Sequence, residues 1–417
     1  MIRNALLGAG LVLSSASQLR LPGLPIGLGE LCLALWIGLS ATRFLAGYPM
    51  AASSALTRLS GFWAVFALTL GIGACIGLLF DPLIDVGAMV HDSTAYLLMA
   101  CMTILSMAEP DSDNRLRQTA WFVIVFGNIG LALQIALGWG LLPQGSLDPW
   151  YWDRFRGWSE NPNQAALYCA VFGPLALHLA MSAETGFGRV SGFALAVLPV
   201  VFGRLTKSDA FLGATVVSST FLIGLRLRTW LAMPGYSMRY IAAVLFILAA
   251  PPTAIALLPY GVAAADEAED FAKSLAKDKG GDGTVATANL RFLLWQQALL
   301  KGLGSASLGL GPGPHSERPT GPNPQNLPGP FEAHSTPLDL YTQGGVLGLA
   351  TLAWLVGSTL LLTLRARFDA LSALICSVAV FSISHFILRH PIFWFALALC
   401  LAEGSTRRRT ASAHYGR

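Results

Sequence analysis

The sequence predicts an all-α polytopic membrane protein of about 12 transmembrane helices with one long loop on the outer side. Three observations carry this. Only 12% of the 417 residues are charged and 54% are hydrophobic, where soluble domains average about 25% charged. Mean hydropathy is +0.58. Apolar runs of spanning length recur along most of the chain. This composition excludes a soluble enzyme, a disordered chain, a collagen and a disulfide scaffold.

The apolar runs fall at 5–17, 27–47, 60–80, 91–108, 117–139, 160–182, 190–206, 209–225, 240–260, 336–364, 368–388 and 391–403. Only Lys207-Ser208-Asp209 separates the seventh from the eighth. When the loops are numbered alternately from the inside, Arg43, Arg58, Arg115, Arg117, Arg226, Arg228, Arg365 and Arg367 all fall on the inner side. The short outer loops hold mostly Asp81, Asp85, His91, Asp92 and Asp148. This is the positive-inside asymmetry, and it predicts that both termini are cytoplasmic. Against it, Arg20, Arg154, Arg156, Lys207, Arg389 and His390 land outside. Anion binding is one reason for cations to stand there; anchoring at the headgroup level is another, and for Arg389-His390 the favoured one.

This divides the chain into residues 1–260 with spans one to nine, a long outer loop at 261–333, the last three spans at 334–404, and a basic inner tail at 405–417. Within the loop, the acidic run 266–270 with Lys273, Lys277 and Lys279 reads as a solvated helical start. A flexible break at 280–284 follows. Asn289 to Lys301 is amphipathic, with Leu293, Leu294, Trp295 and Leu299, and is expected to lie along the bilayer surface. The Gly/Pro-rich stretch 302–330 reads as an irregular lid. No internal repeat is visible. The apolar run Leu6–Ala16 lacks a following cleavage site and is expected to stay attached. All six cysteines lie in apolar runs, which predicts free, inert thiols rather than a disulfide or metal framework. A net charge of +4 gives no reason to expect nucleic acid.

The strongest local signal is His334-Ser335-Thr336-Pro337-Leu338-Asp339. Thr336 fits an N-cap, Pro337 the first helical position and Asp339 the third, as in a capping box. His334 then sits just ahead of the tenth span on the outer side. The positive end of that helix favours a neutral imidazole, which can take a proton from a hydroxyl as a general base. A loop histidine without a role is the alternative, and Asp339 reads as a cap before a catalyst. Gly344, Gly345 and Gly348 read as close helix packing. Asp111-Ser112-Asp113 spells the D-x-D of metal-dependent sugar transferases, but it falls in an inner loop and reads as solvated charge. There is no Walker A sequence, H-E-x-x-H or G-x-S-x-G. Few ionisable residues lie deep in the spans: chiefly Glu30, His178 and His385.

Several motifs together resemble the O-antigen ligase family, which includes lipopolysaccharide ligases and protein O-oligosaccharyltransferases and has the O-antigen polymerases as relatives. His334-Ser335 followed by Gly345 and Gly348 matches its H-[NSQ]-x9-G-x-x-[GTY] pattern. Arg154-Phe155-Arg156-Gly157 with Asn161-Pro162-Asn163 is similar to its R-x-x-G-x-x-x-x-P-N stretch. Leu205-Thr206-Lys207-Ser208-Asp209 resembles L-T-x-S-R, with Asp209 where Arg is usual, so that Arg204 or Lys207 would supply that charge. Arg291 with Trp295, ahead of Gly309-Leu310-Gly311-Pro312-Gly313, resembles R-x-x-x-W before G-x-G-x-G. These pieces keep the family order over about 150–350.

The resemblance implies a glycosyltransferase architecture of the GT-C type. It implies transfer of a glycan from undecaprenyl diphosphate to a sugar hydroxyl of the lipid A core, at the periplasmic face of a bacterial inner membrane, without metal, ATP or other cofactor. His334 would be the base; Arg154 and Arg291, with Arg156, Arg204 or Lys207, would bind the diphosphate, because guanidinium forks pair phosphate oxygens and keep their charge. Asn163, Asp339 and Arg389 are further site candidates. A polymerase or a protein O-oligosaccharyltransferase would use the same donor. A lipid or glycan transporter is the rival from another class, although transporters place ionisable groups near the midplane.

Overall fold

The computed structural model describes residues 1–20, 26–81, 84–143, 145–231, 283–317 and 330–415. Helices dominate them: α1 (Ile2–Leu13), α2 (Leu28–Leu45), α3 (Ser54–Phe80), α4 (Val86–Ala108), α5 (Ser112–Gly138), α6 (Pro162–Ser182), α7 (Gly186–Leu205), α8 (Asp209–Leu231), α9 (Gly283–Gly304), α10 (Thr336–Arg365), α11 (Asp369–Ile383) and α12 (Pro391–Tyr415). Two short antiparallel hairpins complete the set, β1 (Trp150–Tyr151) with β2 (Arg154–Phe155) and β3 (Ser316–Glu317) with β4 (Pro330–Phe331).

Eight helices, α2 to α8 and α10, are long and apolar enough to cross a membrane. Three more apolar helices are shorter: α1, α11 and the Pro391–Thr406 part of α12. Each predicted apolar run except the ninth thus coincides with a helix. The ninth, at 240–260, lies outside the described residues, as do the acidic run 266–270 and the second half of the expected lid, 318–329. The boundary at 207–209 is a real break between α7 and α8, made by Lys207 at φ 48°. Helix starts follow ordinary capping: Ser53, Asp85 and Thr185 accept backbone N–H groups at α3, α4 and α7.

Two helices are enclosed on all sides. In α6 nearly every residue from Ala165 to Ala180 is buried, and in α12 the stretch Ile392–Ala402 is buried throughout. A helix apolar all round belongs in the middle of a bundle. Trp394 of α12 packs against Phe62 and Trp63 of α3, with ring centroids 5.4 and 4.4 Å apart. The outside is apolar too: Leu68, Leu97, Phe187, Val190, Val197 and Ile223 are all exposed. An exterior of this kind suits a lipid bilayer.

The helix α10 is interrupted at Gly345, where φ is 64° and ψ −164°. The sequence predicts close helix packing at Gly344, Gly345 and Gly348; Gly344 and Gly348 do lie against Thr69 of α3, while Gly345 faces the backbone of Ser307 and Leu308. The chain at 305–313 is wedged between α3 and the interruption. Leu310 and Gly311 donate their N–H groups to the carbonyls of Thr342 (2.7 Å) and Gln343 (2.9 Å), and Val346 donates to Ser307 (2.9 Å). The loop thereby satisfies carbonyls that the broken helix leaves open, as backbone within an apolar bundle requires. A Cβ at Gly73 or Gly77 of α3, or at Gly309 or Gly311 of the loop, would overlap neighbouring backbone. Residues 305–317 are therefore part of the packed bundle and not a lid: their glycines are small enough to enter it.

A second irregular stretch, 384–390, joins α11 to α12. The predicted run 368–388 is helical only to Ile383. Beyond it Phe386, Ile387 and Leu388 stay buried. Their backbone is satisfied by side chains: Thr336 Oγ1 donates to the His385 carbonyl (2.6 Å) and accepts from Ile387 N–H (3.0 Å), and Trp394 Nε1 donates to Leu388 O (2.7 Å).

Gly345→Ala should destabilise the protein by about 1–3 kcal/mol or more, since a side chain would be forced into the left-handed region against Ser307 O. Gly357→Ala, on the same helix with open space around it, should be neutral or slightly stabilising. Thermal melts of the two purified variants check this; equal melting temperatures would contradict it.

Candidate functional site

The irregular stretch 384–390 is bonded to the first residue of α10, Thr336, and His334 stands just ahead of it. Ser335 is the N-cap of α10, one residue earlier than the sequence predicts, because Thr336 is already helical and spends its side chain on 385–387. Asp339 reaches back over the helix start: its carboxylate accepts from the N–H groups of Ala333 (2.7 Å) and Ser335 (3.0 Å). Asp339 is buried, and both its oxygens are engaged in this way. Its position is that of a structural clasp. Trp295 of α9 donates Nε1 to Ala333 O at 3.1 Å and ties the amphipathic helix to the same turn. Between these anchors His334 adopts φ 54°, a left-handed conformation that costs energy for most side chains.

The His334 ring lies edge-on to Phe331 (centroids 5.0 Å) and 6.4 Å from the ring of His385, which itself stacks on Phe381 (5.3 Å). Neither imidazole has a hydrogen-bond partner among the described residues. Burial lowers the pKa of His334, and the charges of Arg291 and Arg389 lower it further, against an opposing pull from Glu332. His385 is pushed down to about 3 by burial first and then by His334, Arg291, His390 and Arg154. Both rings are therefore neutral at physiological pH, with lone pairs free to accept a proton. Sequence reading noted His385 only as a deep ionisable residue. The signal that could have found it is its place five residues before His390 in a predicted outer turn.

Arg154 arrives on the β1–β2 hairpin. Phe155, fully buried, packs into Trp139, Trp150 and Phe202, with Phe202 5.0 Å away, and alternation along the strand sends Arg154 the other way. Arg154 Nε donates to Thr206 O (3.1 Å) at the end of α7, and Nη2 donates to Asn163 Oδ1 (2.8 Å). Asn163 is positioned by the N-terminus of α6: Asn161 caps it, accepting from Asn163 N–H at 2.9 Å, and Pro162 takes the first helical position. Two separate sequence motifs, the one holding Arg154 and Asn163 and the one holding Thr206, are thus joined through one guanidinium. Burial lowers the Arg154 pKa, with Asp209 opposing and Arg291 adding to the shift; an arginine nonetheless stays charged. Arg291, on α9, is close enough to act electrostatically on Arg154, His334 and His385 alike.

The cations that the sequence reading expects on the outer side then sort into two groups. Arg156 is committed to Asp148 (2.8 Å), Lys207 to Asp153 (2.5 Å) and Arg20 to Glu160 (3.7 Å). Arg389 pairs with Asp92 (2.9 Å) and with Glu332. Burial opposes its charge, but those two carboxylates outweigh it and raise its pKa. Arg154, by contrast, is held by neutral oxygens, and Arg291 has no hydrogen bond or ion pair among the described residues. Arg204 is exposed at the last turn of α7 and has no ion pair there either; a cation suits a helix C-terminus without any ligand. Of the sequence candidates, the structure bonds Arg154 to Asn163, sets Arg291 within electrostatic range of both Arg154 and His334, and gives Arg156, Lys207 and Arg389 acidic partners.

Among the described residues no group of three or more His, Cys, Asp or Glu side chains is placed to hold a metal ion. What these groups offer chemically is two guanidinium groups able to pair with an anion, and neutral imidazoles able to accept a proton. Comparison with protein-family models found no match to this chain, and comparison with curated proteins found none.

Histidines kept neutral by burial make stability depend on pH. His385 is pushed to about 3 and His390 to about 4, both chiefly by burial. An unfolded chain protonates such groups near about 6.5. The contribution of these histidines to stability is therefore full above about 6.5 and is lost below it, by up to about 1.4 kcal/mol per pH unit for each. Between about pH 6.5 and pH 5 the melting temperature of His390→Gln should change in the destabilising direction less than that of the native protein.

Proposed function

We propose that this chain is a membrane glycosyltransferase of the O-antigen ligase type. It moves a glycan from undecaprenyl diphosphate to a sugar hydroxyl of the lipid A core, on the periplasmic side of a bacterial inner membrane. The observation that carries this reading is the pair of guanidinium groups, Arg154 and Arg291, which have no ion pair among the described residues, with Arg291 in electrostatic range of Arg154 and of neutral His334. Two half-buried cations without an ion pair among the described residues suit a multiply charged anion, and a diphosphate supplies it.

In this mechanism the acceptor hydroxyl enters beside His334. Its oxygen bonds to the anomeric carbon as the bond from that carbon to the diphosphate oxygen breaks. The electron pair leaves with the polyprenyl diphosphate, whose increased charge Arg154 and Arg291 stabilise. The hydroxyl proton passes to the His334 imidazole and then to solvent. A single displacement inverts the anomeric centre. Asn163 holds Arg154 in place and Asp339 holds the turn that carries His334; neither needs to touch substrate.

The deciding experiment is reconstitution in proteoliposomes with a polyprenyl-diphosphate glycan and, separately, lipid A core, a second glycan and an acceptor protein. Glycosylated lipid A core is the expected product. Product on the glycan or the protein instead would reassign the chain to polymerase or protein transferase, and no product with any acceptor would overturn a transferase reading. His334→Asn should abolish transfer while the protein stays folded, because asparagine tolerates the left-handed backbone. Arg154→Lys and Arg291→Lys should each cost roughly 10- to 100-fold in donor kcat/KM, through loss of forked hydrogen bonds. Arg156→Lys should cost little, since that side chain is already engaged by Asp148. The acid limb of the pH–rate profile should lie below the ordinary histidine value of about 6.5, following the lowered pKa of His334.

A further inference from the structure

The opposite end of the bundle holds a second site that the transfer reaction does not use. From Val346 to Arg365 the second part of α10 runs about 30 Å at 1.5 Å per residue, so the turn after α10 lies at the far end of that helix from His334. At that turn a charged cavity of about 400 Å³ opens between α5, α6, α8 and α12. Beside it runs an apolar groove of about 640 Å³, lined by Leu177, Met181, Phe193, Ile223, Leu227 and Trp230. Met181 and Arg226 line both, so charged cavity and groove are continuous. Such a site is amphipathic by construction: one part takes a headgroup and the other an acyl chain.

The charges say which headgroup. Six charged side chains line the cavity, Asp113, Arg117, Arg226, Arg367, Asp369 and Glu403. Four are matched to each other: Arg117 Nε meets Glu403 Oε1 at 2.9 Å, and Arg226 Nε meets Asp369 Oδ2 at 3.2 Å. His178 Nε2 is also 3.1 Å from the second Glu403 oxygen. One anion and one cation, Asp113 and Arg367, have no hydrogen bond or ion pair among the described residues; Asp113 acts on Arg117 only through space, and Arg117 itself is bonded to Glu403. Asp113 belongs to the D-x-D sequence that carries no role in transfer.

We propose that this site binds a phospholipid with a zwitterionic, primary-amine headgroup, a phosphoethanolamine. Its phosphate pairs with Arg367 and the exposed edge of Arg226. Its ammonium donates to Asp113. Its acyl chain lies in the groove against Phe193, Ile223 and Trp230. A purely anionic headgroup would leave Asp113 unmatched and repelled. A choline headgroup has no N–H to donate. The proposal is independent of the glycosyltransferase reading.

The test is native mass spectrometry of the full chain, delipidated and offered equal amounts of dioleoyl phosphatidylethanolamine, phosphatidylcholine and phosphatidylglycerol. The ethanolamine lipid should be retained roughly 10-fold over the other two, as expected when a charged hydrogen bond is at stake. Asp113→Asn should remove its advantage over phosphatidylglycerol. Arg367→Gln should weaken both phosphatidylethanolamine and phosphatidylglycerol. Ile223→Trp, which fills the groove without touching a charge, should lower retention of all three. Equal retention of the three lipids by the native protein, preference for phosphatidylglycerol, or variants indistinguishable from it would overturn the proposal.

Discussion

Backbone that is not helical has to be hydrogen-bonded inside an apolar bundle, and in this protein two irregular segments meet that requirement around α10. The loop 305–313 closes the carbonyls opened at Gly345, and Thr336 closes the turn at 385–387. The first set lies around the interruption of α10 at Gly345, and the second at its first residue, Thr336. His334, at that helix start, has little freedom to move. Its strained backbone angle persists because Asp339, Trp295 and Thr336 fix the chain on either side of it.

The same economy of partners governs charge. Cations beside a membrane's outer face are costly unless matched, and most of those here are matched by a nearby carboxylate. Arg389 is the extreme case, held between Asp92 and Glu332. This makes the unmatched groups informative. Arg154 and Arg291 point to an anion at one end of the bundle, and Arg367 with Asp113 points to a zwitterion at the other. Neither reading follows from counting charged residues; both follow from which residues are left over.

The two ends differ in how they are built. The His334 end is assembled from loops and a broken helix, so it can aim individual side chains. The Arg367 end is assembled from the termini of continuous helices, with an apolar groove running away between α6, α7 and α8. The first arrangement suits chemistry on a bound anion. The second suits a ligand that is itself part of the bilayer.

The sequence alone determined the helical, membrane-embedded class, nearly all the apolar helices, the amphipathic α9 and the placing of His334 just ahead of α10, because hydropathy and helix-start chemistry are local properties. It also singled out Arg154, Arg291 and Asn163 by motif. Only the tertiary structure decided that Arg154 is held by Asn163 and Thr206 while Arg156, Lys207 and Arg389 are neutralised. It alone decided that the glycines at 309–313 enter the bundle and that His385 faces His334. These depend on contacts between segments far apart along the chain. An ion pair and a free cation look identical in a sequence, since what separates them is the distance to a partner brought near by folding.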